Sequence, residues 1–415
     1  MLKRKLQLGL LAATFAAAGS AVQAGPSEGA GKPGGSSHPP VSERCKEAKT
    51  PLIECSHTVS AVFDGKGVAW AAWADQAHVY VQQSADKGRS WFAPVAVNKE
   101  DETVLAHGES RPKVAVGPEG NVYVTWARGL GQRFTSHILF SRSIDGGKTY
   151  SKPRIVNDDK QVIGHSFDSL MVGEGGKLLI AWLDGRDAAK AKQEGKTFNG
   201  STLYYTWSDN GGRSFRKDRP IAAGTCQCCR LQTVADKDGL PVVMWRHILE
   251  GGIRDHVLVK FQDWDKPGDW VRTSFEDWKI DACPHHGPGL AVDSWGRYHA
   301  VWFSGEPQRG GLFYAYSEDH GRTFSPPQRF GGQGASHPHV AVSGDKVVVA
   351  WQEFDGQRNV VKTQTSTNRG AYFGEPEVAA QTEGAADAPF VLNDGQAFYL
   401  SWQTQKDGYR LLPLP

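Results

Sequence analysis

Ser143-Ile144-Asp145-Gly146-Gly147-Lys148-Thr149-Tyr150 decides the reading of this 415-residue chain, because the same phrase returns four more times. It recurs as SADKGRSW from Ser84, SDNGGRSF from Ser208, SEDHGRTF from Ser317 and, weakened, STNRGAYF from Ser366. Successive copies begin 59, 65, 109 and 49 residues apart, and 109 is about twice the rest, so one unit has lost its phrase; Asp265 to Trp270 is the remnant expected in its place. The chemistry is that of a hairpin turn. The Asp or Asn accepts from backbone amides just downstream, the Gly supplies a positive φ, and the closing aromatic is expected to pack the loop onto its own sheet.

Between these turns lies a second phrase with a period of two: VAVGPEGNVYVTW (Val114 to Trp126), LMVGEGGKLLIAW (Leu170 to Trp182) and LAVDSWGRYHAVW (Leu290 to Trp302). Alternation broken by a Gly-containing turn signals antiparallel hairpins. Equivalent tryptophans fall at Trp73, Trp126, Trp182, Trp245, Trp302, Trp351 and Trp402, which counts seven units. Units of about 50 residues with four short strands cannot bury their faces alone and must close radially. The expected fold is therefore all-β, a β-propeller of four-stranded antiparallel blades spanning residues 45–415 as a single domain. Seven blades are favoured, and six with one irregular flanking unit is the alternative. The last unit, from Ala388 to Pro415, runs out of chain before a fourth strand, and residues near Thr50 to Glu54 are expected to supply it and close the ring.

Composition bounds the function. With 48 Gly, 14 Trp and 22% charged residues the chain is neither disordered nor a coiled coil. Lys3-Arg4-Lys5, the apolar run Leu6 to Ala18 and the small residues ending at Ala24 read as a secretory signal, 1–24, followed by a flexible Gly/Pro/Ser-rich leader, 25–44. Removing the signal's three cationic charges from the formal +2 leaves −1, so no electrostatic case for nucleic acid remains. No later stretch is long and apolar enough to span a membrane. A periplasmic or secreted product follows, and in that compartment Cys45 and Cys55, ten residues apart, are expected to form a disulfide.

The turn phrase resembles the Asp box, or BNR repeat, of the sialidase superfamily, over about residues 57–376. The Cys226-Gln227-Cys228-Cys229 and Cys283-Pro284-His285-His286-Gly287-Pro288 segments look like those of a secreted bacterial sialidase-like subgroup. The resemblance implies a propeller and, for a sialidase, three arginines on a substrate carboxylate, a Tyr nucleophile assisted by a Glu, and an Asp acid/base. The family's Phe/Tyr-Arg-Ile-Pro phrase is missing here. Arg111, Arg186, Arg230, Arg246 and Arg254 are the substitutes, with Asp168 or Asp184 as acid; each has an alternative reading as a salt bridge. Arg111, Asp168 and Arg230 are the catalytic candidates.

The segments leading into the first strand of each unit carry a stronger signal. A propeller aims these at one mouth of its axis. In order they hold His57; His107 and Arg111; His165 and Asp168; Cys226, Cys228, Cys229 and Arg230; Cys283, His285 and His286; His337 and His339; and Asp387. Seven of the 14 histidines and four of the six cysteines fall here, which random placement would not produce. Imidazole and thiolate prefer copper or zinc to magnesium or calcium. The leading expectation is a copper or zinc site with Cys226, Cys228, Cys229, Cys283, His285 and His286 at its heart and His57, His107, His165 and His337 around it. Neither haem, for want of Cys-x-x-Cys-His, nor a nucleotide is expected. Competing readings are a disulfide from Cys283 to one of the other three sulfurs, one such staple plus a thiol pair for metal or redox exchange, and imidazoles that merely bond strand-end carbonyls. Three functions compete: a metal-binding or redox propeller, a sialidase-like exo-glycosidase, and a non-catalytic propeller holding a periplasmic protein partner or small ligand over the channel mouth.

Overall fold

The computed structural model describes residues 45, 48–75 and 77–415; the signal and leader expected over 1–44 lie outside the described residues. Seven antiparallel sheets follow one another along the chain. Their innermost strands are Val59–Phe63, Lys113–Val116, His165–Val172, Gln232–Ala235, Gly289–Val292, Ser336–Ser343 and Phe390–Asn393. Each of these touches the next in that order, and the seventh touches the first, so the sheets form the blades of a closed seven-bladed propeller. The six-bladed alternative is excluded.

The second strand of every blade is buried on both faces and carries the tryptophan: all seven are less than 2% exposed. Every indole N–H is satisfied, for instance on Gln82 Oε1 from Trp73 (2.9 Å), on Asp184 Oδ2 from Trp182 (2.8 Å) and on the Asp387 carbonyl from Trp402 (2.9 Å). Burying a large ring with its polar edge paired is what makes this position a fixed landmark of each unit.

The turn phrase forms the same hydrogen-bonded loop five times. In the first copy Ser84 Oγ donates to Asp86 Oδ1 (2.8 Å) and accepts from the Gly88 amide (2.7 Å), while the Ser90 amide donates to Asp86 Oδ1 (2.8 Å). Ser143, Ser208, Ser317 and Ser366 repeat it. One expectation is corrected. The ring contacts of the closing aromatic run to the preceding blade rather than within its own: Trp91 lies 5.8 Å from Tyr409, Phe215 5.0 Å from Phe140 and Phe373 4.8 Å from Tyr314. The phrase's glycine goes with it, because the positive φ turns its Cα flat against the neighbour. A Cβ on Gly370 would sit 1.6 Å from Tyr314 Oη, and one on Gly88 would sit 2.6 Å from Leu411 Cβ, joining blade 1 to blade 7. In blade 4, which lacks the phrase, the place is taken by Trp264, whose ring packs against Gly173 and Trp207 of blade 3.

Closure differs from expectation in one respect. The seventh blade has three strands, Phe390–Asn393, Phe398–Thr404 and Gly408–Pro413, and the stretch from Thr50 to Glu54 does not add a fourth. Instead Ile53–Cys55 is a 3-10 turn, closed by the Ser56 amide and hydroxyl on the Ile53 carbonyl (3.2 and 2.9 Å) and joined to Cys45 by a disulfide. Pro51 has no amide proton for a ladder. The turn caps the last blade through its backbone, with Gln403 Nε2 donating to the carbonyls of Glu54 (3.1 Å) and Ser56 (2.7 Å). Among the described residues no helix is long and apolar enough to cross a membrane.

Candidate metal centre

The lead-in segments do converge. Their centre is a buried network of ion pairs rather than a cluster of imidazoles. Arg111, from blade 2, places Nη1 and Nη2 on the two oxygens of Asp387 before blade 7 (2.6 and 2.8 Å). Arg230, before blade 4, pairs with Glu109 before blade 2 and donates to the Pro338 carbonyl of blade 6 (3.1 Å). Glu109 also accepts from the amides of Arg230 (3.0 Å) and Gly287 (2.9 and 3.0 Å). Both guanidiniums lie over the Phe390 ring, at 4.9 and 5.5 Å. Half-buried Lys113 donates to the Arg111 carbonyl (2.8 Å). Burial drives its amine down to about 8; Asp168 and Glu109 oppose the shift and the two arginines add to it. Asp168 is buried, accepts from Thr125 Oγ1 (2.5 Å) and is held above the ordinary carboxylate range by burial against the pull of Lys113. Glu109 and Lys113 are absent from the sequence-derived set; the only signal for them was their place in the same lead-in as His107 and Arg111.

Beside this network the chain turns before blade 4 through Cys226-Gln227-Cys228-Cys229. All three cysteines are buried free thiols and belong to the apolar cluster that joins blades 3 and 4. Cys226 Sγ lies 3.7 Å from Cys228 Sγ and 3.9 Å from Cys229 Sγ, and the three sulfurs fall within 4.8 Å of one another. Arg254 Nη1 donates to Cys226 Sγ (3.3 Å). Hydrogen bonds from Cys228 and Cys229 hold the Cys226 thiol low against burial, with Arg246 and Arg254 helping, and the other two thiols are pushed up.

Cys283 is exposed and also a free thiol, so the expected staple from it to the other three is not formed. Its sulfur, the Cys228 sulfur and a ring nitrogen of His285 lie within 4.8 Å of one another. The segment carrying them is anchored just downstream: Arg246 Nη2 donates to the His286 carbonyl (3.0 Å), and a Cβ on Gly287 would meet Arg230 Cγ at 2.2 Å. The His286 ring is wedged between Phe303 (4.1 Å) and His337 (4.4 Å), its pKa driven down to about 2 by burial, then by His337 and the arginines.

The remaining histidines fall into neither sulfur set. His57 and His107 are exposed. His165 is buried, bonds the Ser136 carbonyl through Nδ1 (2.7 Å) and faces Asp184 at 3.6 Å. His339 accepts from the Val391 amide (3.2 Å). His337 lies against His286 with its ring tilted by 53° and stands 3.2 Å from Ser336 Oγ through Nδ1. The expected ring of imidazole ligands is thus corrected to sulfur with one adjoining histidine: each buried ring has a strand-end or side-chain neighbour that holds it where it stands.

The fold has solved counterparts. It is similar to an ulvan lyase of polysaccharide lyase family 25, at 10% identity over 88% of this chain and 92% of that one, TM-score 0.54. An α-L-arabinofuranosidase from Fusarium graminearum (11%, 76% and 95%, 0.49) and a Hadza microbial sialidase (14%, 84% and 76%, 0.47) are also similar. At such identity the likeness to the ulvan lyase shows the propeller fold, and propellers host unrelated chemistries. No protein-family model and no curated protein matches the chain.

Proposed function

We propose that this propeller binds a soft transition-metal ion, copper in the first place and zinc in the second, through Cys226, Cys228 and Cys229. The observation that carries the reading is the sulfur spacing of 3.7 and 3.9 Å in a buried, unbonded trio. Three thiolates on one ion at about 2.3 Å would stand roughly 3.8 Å apart in a tetrahedral site and roughly 4.0 Å apart in a trigonal one. Arg254 and Arg246 offset the negative charge that three thiolates carry, and the burial of all three cysteines excludes competing water. Protein purified under reducing, chelator-free conditions is expected to hold about one copper or zinc per chain, and Cys226→Ser or Cys229→Ser to lower affinity by about 100-fold or more. Metal-free protein that takes up neither ion would end this reading.

A second reading, a carbohydrate-active propeller of sialidase-like type, is favoured by the shared fold, since the proteins it resembles are described as a polysaccharide lyase, an arabinofuranosidase and a sialidase. Against it, Arg111 and Arg230 already hold Asp387 and Glu109, so neither guanidinium is open to a substrate carboxylate. Turnover of a fluorogenic sialoside or of ulvan, abolished by Asp168→Asn, would establish it.

A further inference from the structure

Cys228 belongs to two ligand sets at once. With Cys226 and Cys229 it forms the buried trio; with exposed Cys283 and His285 it forms a second set that opens to solvent. We propose that Cys283 and His285 are the docking ligands of an entry route, which capture a Cu(I) ion at the surface and pass it inward by ligand exchange on the shared Cys228 sulfur. The inference rests on the trithiolate reading above and assigns it a loading path.

Three features support a route rather than a second store. Sharing one sulfur lets the ion move without ever being released, because Cys228 stays bonded while its other partners change. The outer pair is presented, not merely exposed: His285 takes a φ of +52°, the left-handed region that bulky side chains avoid, and the anchors at His286 and Gly287 keep it there. The inner trio, finally, is walled in by blades 3 and 4, so an ion needs a ligand at the surface to reach it.

The transfer balances without any redox partner. Bonds from the ion to Cys283 Sγ and the His285 ring nitrogen break, and bonds to Cys226 Sγ and Cys229 Sγ form. Any proton still on the Cys226 or Cys229 thiol is released as that sulfur bonds the ion; the freed Cys283 thiolate takes up one, and the freed His285 imidazole or water takes any second. Copper stays Cu(I) throughout.

The test follows loading of the full, reduced chain from the Cu(I)–bicinchoninate complex under ascorbate, by stopped-flow loss of the complex's colour and by equilibrium competition. The double variant Cys283→Ser/His285→Ala changes only exposed side chains. It is expected to bind one Cu(I) with affinity within about threefold of the parent but to load at least about tenfold more slowly, as access to thiolate sets exchange rates. Cys226→Ser is expected to keep the fast capture phase and lose retention. Equal loading rates for parent and double variant would overturn the route while leaving the trithiolate intact. Two Cu(I) per parent chain would overturn the single-ion hand-off, and no uptake by the parent would overturn the trithiolate reading itself and the route with it.

Discussion

Arg230 and Glu109 show how much one pair can carry. Both are buried, they come from different blades, and Glu109 spends its remaining acceptor capacity on two backbone amides. Removing one partner of such a pair strands a charge in a medium that cannot solvate it. Arg230→Met is therefore expected to lower unfolding free energy by about 3–5 kcal/mol in urea titrations, and the double replacement with Glu109→Leu to restore much of that loss. A sequence does not display such a pair. Arg230 is conspicuous because it follows three cysteines, whereas Glu109 is one of many acids, and only the closing of the ring brings residues 121 positions apart together. The sulfurs were legible for the opposite reason: Cys226, Cys228 and Cys229 are bound by chain connectivity to be close wherever the segment goes. The histidines were over-read, since a lead-in position brings a residue near the axis without deciding which way its ring turns.

At the level of the element, the turn phrase does two jobs, and only the first could be read from its letters. The Ser-Asp-Gly-Thr spacing fixes a loop through local hydrogen bonds, which any isolated copy would dictate. Its grip on the preceding blade depends on what that blade presents. Gly370 and Gly395 separate the two contributions, as both have left-handed φ (79° and 87°), but a Cβ at Gly370 meets the Tyr314 ring while one at Gly395 meets nothing within 4 Å. Gly395→Ala is expected to cost about 1 kcal/mol for backbone strain, and Gly370→Ala some 1–3 kcal/mol more for displacing a buried aromatic, read from chemical denaturation. The three-stranded seventh blade was missed at the same level. Its short tail was evident, but alternation in Pro51 to Glu54 was too brief to tell an extended strand from the turn that the Ser56 hydroxyl closes.

Across the whole molecule, blades 2 and 3 are tied by an acidic hub around Arg186, which bonds Asp184, Asp158 and Asp218 at 2.7–3.0 Å. Burial, then the neighbouring Asp158, lifts the Asp218 pKa to about 7 from its ordinary 3.8, with Arg186 opposing. Between those values the folded chain keeps a proton that the unfolded chain has released, so stability contributed here is present at low pH and falls as pH rises toward and through 7. Thermal melts from pH 5 to 8 should show that decline, and Asp218→Asn should flatten it. The ring itself adds a property that no blade possesses. A linear stack of repeats frays from its outermost members, each held on one side only. Here the Gly88 turn fastens the first sheet to the last as the turns of blades 2, 3, 5 and 6 fasten theirs to the sheet before, and the inner strands touch all the way round, so every member has two neighbours and none is a weak margin from which melting can spread. Such a circle yields all together or not at all, which suits a scaffold that holds the sulfurs of Cys226, Cys228, Cys229 and Cys283 in register.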